Sequence, residues 1–84
     1  MTLPDIHPNG TSAETLIEGY EAAYDAIRHA AGTLKNTGPN PRDFKPEALT
    51  RAADEHMSRL SKLAIVMAEL GELIGHCDRE KDKR

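Results

Sequence analysis

The side chains with a capacity for chemistry gather in two short polar stretches. The first is His7-Pro8-Asn9-Gly10-Thr11-Ser12 and the second is Pro39-Asn40-Pro41-Arg42-Asp43-Phe44. The first leads into a helix N-terminus, where free N–H groups and a partial positive charge suit a phosphate or carboxylate. That makes His7, Asn9, Gly10, Thr11 and Ser12 candidate ligand contacts. In the second stretch, Arg42 suits bidentate phosphate contact, Asn40 supplies an amide, and Phe44 can stack on a base. Capping and turn chemistry, with Arg42 paired to a nearby acid, is the plainer reading of both.

Two further groups of reactive side chains fall within helical patterns. His56 interrupts an otherwise apolar stripe. Buried polar groups are normally paired, so it reads first as a core histidine bonded to a Tyr hydroxyl or to a partner chain. Fixing the register of an oligomer and ligand or catalytic work are its other readings. His76-Cys77-Asp78 holds three metal-ligand types. Consecutive helical residues point about 100° apart and cannot chelate one ion together. CxxC and HExxH spacings are absent, so no metal site or cofactor is expected and Cys77 reads as a seam residue. No serine has a matching histidine and acid in a recognisable arrangement. The pairs Asp54-Glu55 and Glu69/Glu72 fall on a solvent face. The chain therefore reads as a binding protein and not an enzyme.

The apolar pattern shows what must position these residues. Leu49, Ala53, His56, Leu60, Leu63, Met67, Leu70, Ile74 and Cys77 alternate in steps of 4 and 3. That is a helix with one buried seam, expected over about 46–78. Pro46 suits its first position, and Phe44 with Leu49 forms a hydrophobic staple. A second seam, Ala13, Ile17, Tyr20, Tyr24, Ile27, Ala31 and Leu34, gives a helix over about 12–35. Thr11-Ser12-Ala13-Glu14 reads as its capping box, with Thr11 as the cap. Gly38 is expected to take a left-handed cap, with Pro39 stopping the helix. Gly19, inside this helix, needs packing to offset its cost. Residues 1–10 form an irregular arm, 36–45 a proline-stiffened connection and 79–84 a charged tail.

Together these predict an all-α antiparallel helical hairpin in one domain. The expected pairing sets Leu34 beside Leu49, Ile27 near His56, Tyr20 near Leu63 and Ala13 near Leu70. Ile74 and Cys77 then extend past the first helix, leaving Leu3 and Ile6 to fold back over them. Leu73, Val66, Leu16 and Ala23 lie beside the seams and stay wet in a single hairpin. The chain has 84 residues, one Phe, two Tyr and no Trp, and its one Cys excludes an internal disulfide. So small a core usually needs a partner. Self-association into a four-helix bundle or a larger homo-oligomer is expected.

The formal charge of −3 gives no basic face for nucleic acid. No apolar run is long enough to span a bilayer, and Met1 to Gly10 lacks a signal-peptide pattern. The expected setting is cytoplasmic.

The signatures His-x-Asn-Gly-Thr-Ser (His7, Asn9, Gly10, Thr11, Ser12) and Pro-Asn-x-Arg-Asp-aromatic (Pro39, Asn40, Arg42, Asp43, Phe44) support a resemblance. They resemble a group of small, all-helical, uncharacterised accessory proteins of tailed phages and prophages of proteobacteria. Phe44 stands where tyrosine is often expected, which removes a hydroxyl contact. The resemblance implies an accessory role in the cytoplasm of a host bacterium and carries no activity. By analogy with small phage proteins that sequester host immune signals, the expected function is counter-defence. The chain would hold a small anionic nucleotide between protomers, where one chain's first loop meets another's second. An acidic bundle that blocks a host defence protein, and a structural phage role, are the alternatives.

Overall fold

A computed structural model describes residues 1–81. The end of the charged tail, Asp82 to Arg84, lies outside the described residues. Helix α1 spans Ala13–Thr37 and α2 spans Pro46–Lys81, with a short 3₁₀ turn over Pro41–Asp43 between them. The two helices pack on each other as a hairpin, and the described residues contain no strand. Helix α2 begins at Pro46 as expected and α1 one residue late; both run two or three residues further than expected, so the tail starts as helix.

The cap of α1 differs from expectation. Ser12, not Thr11, is the N-cap: its Oγ accepts from the Thr15 amide at 3.1 Å and donates to Thr15 Oγ1 at 2.8 Å. The helix starts one residue later than the capping-box pattern implies, so Glu14 falls one place short of the position that reaches back. At the other end, the cap residue Gly38 has φ 141° and ψ −153°. This is an extended, mirror-image conformation rather than the left-handed helical cap. A Cβ there would sit 2.9 Å from the Asn40 amide nitrogen, so the turn needs glycine. The following Gly38–Pro39 bond is cis.

Lys45 caps α2 through its carbonyl, which accepts from Ala48 and Leu49 at 2.9 and 3.1 Å. Phe44 and Leu49 occupy the staple positions. Leu49 is half-buried, while Phe44 keeps 41% of its surface exposed.

Every residue of the two expected seams is at least half-buried, so the stripe is correct. The pairing between the stripes is not. Leu34 shares a groove with Ala52, Glu55, His56 and Arg59 rather than with Leu49. Tyr24 shares one with Gly71 and Ile74. The helices are thus slid by about three turns, because the connection runs back along the first turns of α2 before entering it. Ile74 is therefore flanked by α1 itself. The arm still docks on α2, through the His76 ring, whose Nε2 lies 2.7 Å from the Pro4 carbonyl oxygen. Ile6 is half-buried and Leu3 is exposed.

Burial is shallow. Among the described residues only Ala13 and Cys77 are fully buried, at 3% and 0% exposure. Of the four positions expected to stay wet beside the seams only Val66 is exposed; Leu16, Ala23 and Leu73 are half-buried, because the covered stripe is wider than the seam itself. Gly19 meets nothing within 4 Å of an added Cβ, so no close packing offsets its cost. The molecule is a rod of 59 × 20 × 17 Å. Its radius of gyration is 18.1 Å, where a compact chain of this length would have about 12 Å.

Candidate functional site

The two polar stretches lie at opposite ends of this rod. The first turns beside Lys81 at the end of α2, and the second precedes Pro46 at its start. Thirty-six helical residues separate these ends, about 54 Å at 1.5 Å each. One chain alone cannot bring His7 and Arg42 to one ligand.

The first stretch is a closed turn. The Gly10 amide donates to the His7 carbonyl at 3.1 Å, and the His7 ring lies against Gly10, where a Cβ would come within 3.1 Å. A shallow recess of about 270 Å³ is lined by His7, Gly10, Ser12, Glu14 and Lys81, among others. Asn9 and Thr11 are exposed and stand outside its lining. Ser12 already satisfies the Thr15 amide, so part of the expected anion-binding helix end is occupied by the chain itself.

The connection is better built. Asn40 Oδ1 accepts from the Arg42 amide at 3.0 Å, and its carbonyl accepts from Asp43 N at 2.9 Å. This fixes the 3₁₀ turn and holds Arg42 outward. The expected pairing of Arg42 with an acid does not occur: its guanidinium has no ion pair among the described residues. Beside it opens a groove of about 370 Å³, whose lining includes Asn40, Asp43, Phe44, Glu55, His56 and Arg59. Asn40 and Phe44 are thus brought together, while Arg42, between them in the chain, is exposed and stands outside the lining.

His56 and Arg59 belong to this groove, and the sequence reading treated them otherwise. The His56 ring is half-buried and bonds to no Tyr hydroxyl or other group among the described residues. Arg59 lies three residues after His56, on the α2 flank that the returning connection approaches, and its spacing alone does not mark it. Asp43 and Glu55 share that lining with Arg59, so the groove carries both signs of charge.

No group of three or more potential metal ligands occurs among the described residues. His76 bonds to the arm, and Cys77 is sealed in the core, where burial pushes its thiol above the ordinary value. No helix among the described residues is long and apolar enough to cross a membrane. No protein-family model, curated protein or solved structure matches the chain.

Proposed function

We propose that this protein is a self-associating helical binder that captures a small anionic, nucleotide-type ligand between protomers. In this reading it serves a phage against a host's nucleotide immune signals. The observation that carries it is the connection end: an unpaired, exposed Arg42, held by the Asn40 turn and flanked in the chain by residues that line a groove containing Phe44, His56 and Arg59. The guanidinium serves phosphate oxygens and the exposed Phe44 face serves a base. The His7 turn of a second chain closes the site. Holding the ligand requires no bond to break, so sequestration is by affinity alone. The phage setting rests on the two loop signatures.

Isothermal titration against a panel of cyclic and ADP-ribose-type nucleotides tests this. At least one should bind, and Arg42→Ala and Arg59→Ala should each weaken it about tenfold or more, the usual loss for one charge-assisted contact. Absence of heat with every nucleotide, or unchanged affinity in both variants, rejects it.

One observation favours the second reading, a protein-blocking acidic surface. Glu14, Glu18, Glu21 and Asp25 form an exposed stripe at helical spacing along α1. Capture of a host protein that is lost on charge reversal of this stripe, with the loops intact, would support that reading instead.

A further inference from the structure

A folded monomer of 9.2 kDa typically exposes about 4,900 Å² of surface. This chain exposes 6259 Å², an excess of roughly 1,300 Å² over that scaling. A standard stable dimer covers about 800 Å² per partner. The bare area thus suffices for one whole interface.

The rod is also electrically polar. Its connection half, residues 30–63, carries six Lys/Arg against four Asp/Glu, a net of +2. Its other half, residues 1–29 with 64–81, carries three against nine, a net of −6. Packed hairpins sit about 10 Å apart, within reach of such charges at ordinary salt. Antiparallel stacking sets unlike poles together, whereas parallel stacking sets like poles together.

One face suits that stacking. A shallow apolar groove of about 570 Å³ runs between the helices, lined by Ala31, Gly32, Met57, Leu60, Ala64 and Met67. Ala64 lies at the midpoint of α2. Met57, 61% exposed, is seven residues before it, and Gly71, with open space at its Cβ position, is seven residues after. Seven residues is two helical turns, so the three positions share a stripe.

From these observations we infer that a second copy of this chain stacks antiparallel on the groove face, α1 on α1 and α2 on α2. The twofold axis passes close to Ala64. Each Met57 then fills the partner's gap at Gly71, and small residues meet at the centre. On α1 the same axis passes near Ala30 and Ala31, which sets Asp25 against the Lys35 of the other copy. The stacking also puts one chain's connection and the other's His7 turn at the same end of the assembly. The inference rests on the self-association in the proposed function and supplies its geometry; it does not require a ligand.

Two measurements on the full chain test it. Sedimentation should show a dimer that Asp25→Lys or Lys35→Asp each weakens roughly tenfold, with the double swap restoring it. Ala64→Cys should cross-link to itself under mild oxidation, since the native Cys77 is buried, while Glu47→Cys should not. A dimer indifferent to both swaps, without the Ala64→Cys cross-link, overturns this orientation and leaves nucleotide binding to be judged by titration. A monomer at all concentrations overturns the orientation and the shared site together.

Discussion

Replacing Gly38 with alanine isolates the turn that aims the connection loop. At φ 141° and ψ −153° an L-residue is strained, at a cost on the order of 1–3 kcal/mol. The added Cβ would meet the Asn40 amide nitrogen at 2.9 Å, and this neighbour is backbone, which cannot simply rotate away. Against this, alanine restricts the unfolded chain and returns about 0.4–1 kcal/mol. The backbone clash puts the strain at the upper end of its range, so the net loss is about 2 kcal/mol. With an unfolding entropy of about 2.1 cal/mol/K per residue, the midpoint should fall by about 11 °C. Gly19→Ala is the control. An added Cβ at Gly19 meets nothing within 4 Å, so helix propensity alone should raise stability by up to about 1 kcal/mol. Thermal melts followed by circular dichroism at 222 nm, at one fixed chain concentration, read both. If Gly38→Ala melts with or above the parent while Gly19→Ala behaves as expected, the reasoning about the turn is wrong.

Ser12→Ala should cost about 1 kcal/mol and Thr11→Ala much less, in denaturant titrations, because only Ser12 holds the Thr15 amide. His56→Leu should raise the midpoint by several degrees, since an unbonded, half-buried ring gives way to an apolar one on the seam; a lower midpoint would mean that the ring has a partner. Cys77 is wholly buried and its thiol is pushed up by desolvation, above about 9. A raised folded value means that the folded state keeps the proton longer. The stability linked to it is therefore complete below the unfolded thiol's value and is lost as pH rises through 9 and beyond. Denaturant midpoints should fall over that range, and Cys77→Ala should flatten the slope. In the parent, a thiol-specific dye should react only as fast as the chain opens.

How much was legible in the sequence can be read from particular residues. The 4-3 spacing of apolar side chains placed every seam position correctly, from Ala13 to Cys77, because periodicity is a local property of one helix. The start of α2 at Pro46 and the end of α1 just before Gly38 and Pro39 were equally local, although Gly38 does not take the left-handed cap. The Ser12 cap was missed because Thr11 and Ser12 are chemically alike, and only backbone geometry separates them. Helix register was missed for a different reason. A 4-3 stripe repeats every seven residues, so a slide along it keeps apolar against apolar and changes little in the pattern.

The slide was settled by the connection, whose path along the first turns of α2 fixes where α1 must end. From that followed the groove that unites Asn40, Phe44, His56 and Arg59, the freedom of Arg42, and the docking of the arm on His76. These are contacts between residues far apart in the chain, and no local spacing encodes them. Composition and periodicity determined that this protein is a pair of amphipathic helices with little core. Tertiary packing decided which of its polar side chains meet.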